Sequence, residues 1–382
     1  MDKLVVVTSE PLRAYSNAGY LERLFEQDYY NPVNVAKEVI FVSPFEALGE
    51  QIVHGHRVIG TSVELFAREV ARIKPDLVRA YGSFWACDLA VYSSPGCPVF
   101  VSVHDPNPKL FHNSLQFADK VVCTSEVVAQ QALRSGVRED NLKILYNWVD
   151  RSVFHAVPNA LKVKTLTDSF PNVKSILHVG NKTPAKNIET VVQALQFLPM
   201  HFHAFFLGAG DQSPYEKLAQ KLNVNNRCHW VGVIPNNDLK YWYTWCDVMC
   251  TPSLSEGFGI VFAEAAACGA PIVTSDIAPM NSFFRNGYDA VLVAENKNPK
   301  KLAECIFTVV TDSGLRDKLS RNAVETSFKF DRRRLQAQEA ELMESTEQRK
   351  LSWYKASQKA LFSQCYFLRK KIEQRFEGET NE

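Results

Sequence analysis

Short apolar runs alternate with amphipathic stretches along most of the chain. Six runs in the first half are rich in Val, Ile and Leu and have the length of buried strands: residues 4–8, 39–42, 77–80, 99–103, 120–123 and 143–145. Between them, residues 62–73 and 126–135 place their apolar side chains on one helical face. Strands that are almost wholly apolar and alternate with helices predict a parallel sheet covered on both faces.

The same alternation restarts after a break. Residues 159–172 lose the periodicity and are interpreted as a linker between a domain at 1–158 and a domain at 173–330. Six strands are predicted in the second domain: residues 175–179, 204–207, 228–231, 247–251, 271–275 and 290–293. The fold class is therefore α/β, with two Rossmann-like, doubly wound parallel-sheet domains facing a cleft. Residues 331–382 carry no strand signal and form a C-terminal helical extension, which could pack back on the first domain.

Composition narrows the class of protein. A chain of 382 residues suits two domains, and 43 Lys and Arg against 42 Asp and Glu leave no net field that would recruit nucleic acid. Nine scattered cysteines without framework spacing favour a reduced, cytoplasmic setting. No apolar run reaches the length of a spanning helix.

The segment 251–271 contains the most informative chemistry. A predicted strand ends at Thr251, Gly257 and Gly259 flank Phe258, and a helix of small residues follows. Glycines let the backbone approach a ligand closely, and the free amides of a first helical turn attract negative charge. The segment therefore suits a phosphate or a polyhydroxylated group.

Two acids belong to the same segment. Glu256 lies in the turn, and Glu264 falls on an Ala-rich helix where a buried carboxylate needs partners. Vicinal sugar hydroxyls would satisfy it, because a carboxylate accepts several hydrogen bonds. The alternative is a helix capped by Ser255 or Glu256 with Glu264 at a surface edge. The acid spacing, the glycines and the strand–loop–helix context together favour a ligand site.

Glu256-x7-Glu264 resembles the signature of retaining glycosyltransferases of the GT-B architecture, in the family-4 group. Other segments are similar to further marks of that family, in family order: 101–105 to its "HD" element, 146–154 to its "PNGVD…F", 178–187 to its "VGR…KN" loop, and 206–210 and 230–233 to its "G.G" and "F.G.V" turns. The marks extend over residues from about 100 to 330.

The resemblance implies roles for individual residues. Glu264 would hold the ribose hydroxyls of a nucleotide sugar and Glu256 the hydroxyls of the transferred sugar, while Lys186 would neutralise the diphosphate. His104 would sit near the sugar, although a histidine that ends a buried strand can also bond locally. The catalytic residues are thus predicted to be His104, Glu256 and Lys186. The donor-binding residues are predicted to be Gly19, Gly180, Asn181, Lys182, Lys186, Gly208, Val233, Gly257, Phe258, Gly259, Ile260 and Glu264.

The chain departs from the family at two places. Asn181 stands where the family has an arginine, so a bidentate guanidinium contact on the order of 1–3 kcal/mol is lost. Lys182 or Arg13 could compensate, or diphosphate binding is weaker. The loop at 10–20 has only Gly19 where the family has paired glycines.

The function implied by the resemblance is retaining transfer of a sugar from a nucleotide-diphosphate sugar to a hydroxyl acceptor, a glycan or a lipid-linked molecule. No cofactor or metal is expected, since the chain has no Asp-x-Asp motif. The pairs His54/His56 and His201/His203 are interpreted as surface or core histidines. A sugar-nucleotide epimerase and a non-catalytic sugar-nucleotide or glycan binder are the alternatives.

The last helix has a distinct pattern. Between residues 351 and 376, one helical stripe carries Tyr354, Leu361, Cys365, Leu368, Ile372 and Phe376. Six cations accompany it, opposed only by Glu373. Such a helix can lie on an anionic membrane surface, close the fold with its lysines snorkelling over an apolar seam, or form a dimer contact.

Overall fold

The computed structural model describes residues 1–17, 21–93 and 96–379, with the side chains of 372 and 374–379 left out. The chain divides into two compact units. The first contains Met1–Tyr146 and Gln336–Glu382, and the second contains Asn147–Leu335. The predicted donor-binding Gly19 lies outside the described residues.

The first unit is built on one eight-stranded sheet. Its strands are β1 (Lys3–Val7), β2 (Glu38–Ser43), β3 (Gly49–Val53), β4 (His56–Gly60), β5 (Leu77–Tyr81), β6 (Val99–Val103), β7 (Lys120–Cys123) and β8 (Leu142–Ile144). They are ordered β3-β4-β2-β1-β5-β6-β7-β8, and every neighbouring pair except β3–β4 is parallel. The direction of winding reverses between β1 and β5.

Helices cover the first sheet. They are α1 (Leu12–Asn17), α2 (Leu21–Glu26), α3 (Val63–Ile73), α4 (Trp85–Tyr92) and α5 (Glu126–Arg134). Two of them begin where a serine accepts a backbone hydrogen bond. Ser62 accepts from the Leu65 amide at the start of α3, and Ser125 accepts from the Val128 amide at the start of α5. The predicted helices 62–73 and 126–135 are therefore present, with a capping serine at each N-terminus.

The edge hairpin of β3 and β4 departs from the sequence prediction. The antiparallel pair turns at His54 and Gly55, both with positive φ, 47° and 80°. Strand β3 is mostly exposed, so it lacks the apolar run from which the other strands were predicted. His54 and His56 stack on the Phe25 ring, with centroids 5.3 and 4.8 Å away. His54 therefore belongs to the hairpin turn, and both histidines pack on an aromatic ring.

The second unit is built on an all-parallel six-stranded sheet. Its strands are β9 (Lys174–Val179), β10 (Phe202–Leu207), β11 (Cys228–Gly232), β12 (Val248–Thr251), β13 (Ile272–Ser275) and β14 (Val291–Val293). They are ordered β11-β10-β9-β12-β13-β14, so winding reverses between β9 and β12. In open sheets, ligands bind beyond the carboxyl ends of strands at such a reversal.

Helices α6 to α13 belong to this unit: α6 (Leu161–Ser169), α7 (Ile188–Ala194), α8 (Ser213–Lys221), α9 (Leu239–Trp245), α10 (Ile260–Ala267), α11 (Met280–Phe283), α12 (Pro299–Thr311) and α13 (Ser313–Ser327). Residues 159–172, interpreted from the sequence as a linker, contain α6, which packs against α9. Its weak periodicity reflects the burial of a single residue, Val163.

The C-terminal extension is helical. Helix α14 (Arg332–Glu344) crosses from the second unit into the first at Gln336, and α15 (Trp353–Glu379) belongs to the first unit. Glu339 of α14 forms an ion pair with Arg79 of β5, and the backbone amide of Arg349 donates to Asp119 at 2.6 Å. Among the described residues, no helix combines the length and apolarity that crossing a membrane requires.

Candidate functional site

The loops that follow β9 and β10 approach each other closely. Gly208 has φ 130°, and a Cβ added there would lie 2.2 Å from the carbonyl oxygen of Gly180. Only glycine permits this approach. The backbone amide of Lys182 donates to Ala209 at 2.6 Å, and its Nζ donates to the Gly208 carbonyl at 2.5 Å. Two of the predicted donor-binding glycines thus shape the loop that carries Lys182.

The side chains at Asn181 and Lys182 differ in exposure. Asn181 is exposed, whereas Lys182 is buried against the backbone, and burial lowers the pKa of its ammonium. Arg13, the other residue considered as a replacement for the family arginine, is exposed on α1 of the first unit. Compensation by either residue stays a prediction, and Lys182 would have to exchange its bond to Gly208 for a ligand.

Lys186 and Glu256 meet in the second unit. The Lys186 Nζ lies 2.5 Å from Glu256 Oε1, which also accepts from Ser253 Oγ at 2.7 Å. The two side chains are only 20% and 7% exposed. Because Lys186 follows β9 and Glu256 follows β12, the pair lies where the winding of the sheet reverses. Two residues predicted from separate motifs are therefore in direct contact.

Hydrogen bonds of Asn187 connect the loop that follows β9 to the loop that follows β12. Its Nδ2 donates to the carbonyls of Pro252 and Asn296, at 3.0 and 2.8 Å, and its Oδ1 accepts from Thr190 at 2.7 Å. Its φ of 52° suits asparagine, which tolerates the left-handed region better than most residues. A backbone bond from the Leu254 amide to the Ala185 carbonyl, 2.7 Å, joins the same loops. The motif was recognised in the sequence, but this fastening role was missed.

His178 supports the Lys186 loop from beneath. It is fully buried on β9, and its Nε2 lies 3.1 Å from the Lys186 carbonyl, which accepts the hydrogen bond. Burial lowers the pKa of the imidazole to about 4, so the ring is neutral at physiological pH. With Nε2 as the donor, Nδ1 carries the lone pair, and Nδ1 has no hydrogen-bond partner among the described residues.

The helix after Glu256 begins without a side-chain cap. Gly259 is its N-terminal cap residue with φ 80°, and a Cβ there would lie 2.8 Å from the Phe262 ring. The alternative in which Ser255 or Glu256 caps the helix is therefore wrong for the described structure. Phe258 packs against Phe283 and Phe330, at 4.9 and 5.5 Å between ring centroids. Ile260 is the first residue of α10, and both it and Gly257 are half-buried.

Glu264 is buried on α10, as the ligand hypothesis required, but it has partners within the chain. Tyr243 donates its hydroxyl to Oε2 at 3.1 Å, and Asn236 donates its side-chain amide to Oε1 at 3.2 Å. A ligand is therefore not required to satisfy this carboxylate. Tyr243 lies on α9, and no sequence motif connected it to Glu264.

His104 belongs to a cavity of about 440 Å³ in the first unit. The cavity lies beyond the carboxyl ends of β1, β5 and β6, where the winding of the first sheet reverses. Tyr29 OH lies 3.5 Å from His104 Nε2, and the Tyr81 ring stacks 6.1 Å from the imidazole. Tyr15, Tyr30 and Arg23 line other parts of it. The tyrosines were not predicted, since they belong to a helix, a loop and a strand without a recognisable motif.

Two family descriptions match this chain. Glycosyl transferases group 1 matches residues 167–326, and Glycosyltransferase Family 4 matches residues 36–153. The matches fall in the second and first units, and together they cover most of the chain. The chain belongs to the family-4-like glycosyltransferases of the GT-B fold.

Individual relatives of the chain are distant in sequence. An uncharacterized glycosyltransferase of Methanocaldococcus jannaschii is 24% identical over 61% of this chain and 64% of its own length. A D-inositol 3-phosphate glycosyltransferase of Xylanimonas cellulosilytica is 28% identical over 53% of this chain and 54% of its own. The chain thus matches less than two-thirds of the length of either relative.

Structural similarity covers more of the chain than these sequence alignments do. The crystal structure of Anabaena HepE in complex with UDP superposes with a TM-score of 0.76 at 20% identity, covering 90% of this chain and all of that one. The same Anabaena protein has been solved with UDP-glucose.

The remaining residues considered in the sequence lie both at the surface and in the core. Val233 follows β11 and is 72% exposed. Cys246 and Cys250 are buried. Within residues 1–17, 21–93 and 96–379, no group of three or more His, Cys, Asp or Glu side chains is arranged to hold a metal ion.

Proposed function

We propose that this protein transfers a sugar from a nucleoside-diphosphate sugar to a hydroxyl group of a glycan or lipid-linked acceptor, with retention of anomeric configuration. The proposal depends mainly on the ion pair between Lys186 and Glu256, whose side chains are largely buried. The pair lies where the second sheet reverses its winding, and α10, which follows Glu256, begins without a side-chain cap. Family membership and the UDP and UDP-glucose complexes of the Anabaena protein support the donor class.

Lys186 is assigned to the diphosphate. When the bond between the sugar C1 and the phosphate oxygen breaks, negative charge grows on the leaving diphosphate, and a fixed ammonium stabilises that charge most in the transition state. A donor held here would share Lys186 with Glu256, so binding rearranges the pair. The amides at 258–260 would add hydrogen bonds to the phosphate or the sugar.

The two acids are assigned to hydroxyl groups at different ends of the donor. Glu256 would accept hydrogen bonds from the transferred sugar, and Glu264 from the ribose, in part by exchanging its bonds to Asn236 and Tyr243. Carboxylates accept several hydrogen bonds at once, which suits vicinal diols. The acids therefore orient the donor while Lys186 responds to the developing charge.

The reaction is proposed to occur on one face of the sugar. The acceptor oxygen bonds to C1 on the side from which the diphosphate departs, and its proton passes to a phosphate oxygen of the leaving group. The chain's own residues supply positive charge and orientation for this step. We assign His104 to a hydroxyl of the reacting sugar and expect no metal requirement, so a chelator should leave the rate unchanged.

The experiment that tests the proposal is a nucleotide-release screen with UDP-, GDP- and ADP-sugars, each with and without simple sugar acceptors. Acceptor-dependent release of one nucleotide, with a new glycoside of retained configuration by NMR, is the expected result. Release without any acceptor, together with a changed sugar, would favour an epimerase instead. Saturable donor binding without turnover would favour a non-catalytic binder.

A further inference from the structure

Helix α15 presents two apolar faces, of which one is used by the fold. Phe362, Tyr366 and Phe367 pack against the core of the first unit, and Ser363 donates its hydroxyl to the Tyr92 carbonyl at 3.0 Å. These contacts fix the orientation of the helix on α4. The structural alternative considered for the sequence, a closing helix, is therefore present.

Tyr354, Leu361, Cys365 and Leu368 of the stripe identified in the sequence lie on the other face, and the side chains of Ile372 and Phe376 lie outside the described residues. Tyr354 is 65% exposed, Leu361 57% and Leu368 61%, and Cys365 between them is also exposed. Trp353, at the first position of the helix, is 83% exposed. Residues 354, 361 and 368 are spaced by seven, so they follow one line along the helix. The fold thus leaves a row of exposed Tyr, Leu and Cys side chains on its surface, with Trp353 beside the start of the row.

The cations of the helix separate into two groups. Lys355 and Lys359 turn toward the first unit, where Lys355 Nζ contacts Gln116 at 2.5 Å and burial lowers the pKa of Lys359. Arg369 and Lys371 are exposed and Lys370 is half-buried, and Glu373 forms ion pairs with both Arg369 and Lys370. Over Trp353–Glu379 the helix carries six Lys and Arg against three Glu, a net charge of +3 in a chain whose total charge is only +1. The exposed apolar side chains therefore belong to a basic helix.

We propose that the exposed stripe of α15 docks on an anionic membrane surface. Interfacial helices bury an apolar face that includes aromatic residues at the headgroup boundary, while flanking cations attract acidic lipids. The charges at Arg369–Lys371 match an anionic surface, and they would repel the same charges of a second copy facing them. Docking of this kind is independent of which sugar, or whether any sugar, is transferred.

The cysteine in the stripe allows a direct test in the full-length protein. Seven of the nine cysteines are buried and Cys305 is half-buried, so a Cys305→Ser variant leaves Cys365 as the exposed thiol. An environment-sensitive fluorophore on Cys365 should shift to the blue with vesicles of phosphatidylcholine and phosphatidylserine. The shift should be much smaller with phosphatidylcholine alone, and salt should weaken it.

Sedimentation with the same vesicles needs no label. It shows whether binding depends on the leucines of the stripe or on exposed apolar side chains anywhere on the surface. Leu361→Glu and Leu368→Glu should each reduce binding by about tenfold or more, because a leucine would no longer enter the apolar boundary. Leu48→Glu, at a leucine that is 81% exposed elsewhere on the first unit, is the matched control and should bind as the wild type does. Lys371→Glu should cause a smaller loss that disappears at high salt.

Three results would overturn the proposal. One is the absence of both the Cys365 shift and sedimentation with phosphatidylserine vesicles. Another is equal binding of the wild type and the Leu361→Glu and Leu368→Glu variants. The third is a concentration-dependent dimer without lipid that these substitutions abolish, since the stripe would then be covered by a second copy. None of these readouts uses sugar transfer, so failure here leaves the proposed activity untouched.

Discussion

Both units place candidate functional residues where the winding of their sheet reverses, but the chemistry at the two positions differs. In the first unit the reversal between β1 and β5 borders a cavity walled by tyrosines and His104. In the second, the reversal between β9 and β12 brings together the Lys186 ammonium and the Glu256 carboxylate. The same topology therefore presents mainly neutral aromatic groups in one unit and an ion pair in the other.

The position of buried charge explains the contrast. In the first unit the charged pair lies beneath the wall: Arg79 is fully buried, pairs with Glu339 and lies 4.6 Å from the centre of the Tyr81 ring. Burial raises the pKa of Tyr29 and Tyr81, so both remain neutral phenols. In the second unit the uncharged His178 lies beneath, and the charge is at the site itself. We infer that the second position suits a diphosphate and the first an uncharged hydroxylated group.

The largest expected effect concerns the charge beneath the first cavity. Glu339→Ala should reduce the free energy of unfolding by about 3–5 kcal/mol, because it leaves the Arg79 guanidinium buried without its carboxylate. Chemical denaturation of the full chain measures this. Glu304→Ala removes one partner of the exposed Lys301–Glu304 pair and should cost less than about 1 kcal/mol. Equal losses in the two variants would show that the buried pair does not support the first unit.

The next effect tests the charge presented by the second unit. Lys186→Ala should lower kcat/KM for transfer by about 10²–10³, as expected for the loss of a preorganised group at developing charge. Lys301→Ala, at a half-exposed lysine of α12, is the matched control and should keep wild-type kinetics. Lys186→Ala combined with Glu256→Gln shows whether an unpaired Glu256 contributes to the loss. Retained activity in Lys186→Ala would contradict the assigned role.

Substitutions of Glu264 and Glu256 should affect different kinetic quantities. Glu264→Ala should weaken donor binding by roughly 10- to 100-fold, the range for charge-assisted hydrogen bonds, and Glu256→Ala should chiefly lower kcat. Calorimetric titration with the nucleotide diphosphate and steady-state rates measure the two quantities. Glu264→Gln, which retains a polar group for Tyr243, distinguishes loss of charge from loss of packing. Wild-type kinetics in both alanine variants would remove the acids from the site.

The strands were predictable because of how parallel sheets are buried. Strands covered on both faces are nearly continuous apolar runs, and all twelve runs identified in the sequence are strands, with ends that differ by at most two residues. The edge strand β3 is exposed and was missed, and its neighbour β4 was missed with it. His54 and His56 were interpreted as surface or core histidines, and the hairpin turn at His54–Gly55 was not predicted.

The site was predictable as a set of residues but not as a set of contacts. Motif order identified Lys186 and Glu256, which are 70 positions apart, but it could not show that they pair with each other. Nor could it show that Tyr243 and Asn236 already bond to Glu264. Such contacts depend on how loops and helices meet around the sheet, which local patterns do not specify.

The smallest expected effect is on the pH dependence of stability, through the neutral, buried His178 beneath the Lys186 loop. Burial lowers the pKa of His178 from 6.5 to about 4, so the unfolded chain takes up a proton at a higher pH than the folded chain does. The stability that neutral His178 contributes is complete above about pH 6.5 and is lost as the pH falls toward 4, by at most about 1.4 kcal/mol per pH unit. The difference in unfolding free energy between the wild type and His178→Gln should therefore shrink over this range.

Denaturation curves collected between pH 7 and pH 4 measure this difference. His201→Gln, at an exposed histidine of the same unit, controls for the removal of an imidazole. A difference between wild type and His178→Gln that stays constant with pH would mean that His178 is not held neutral by burial. His178 would then titrate as it does in the unfolded chain and carry a charge below about pH 6.5, so the contrast with the charged Arg79–Glu339 pair of the first unit would be limited to higher pH.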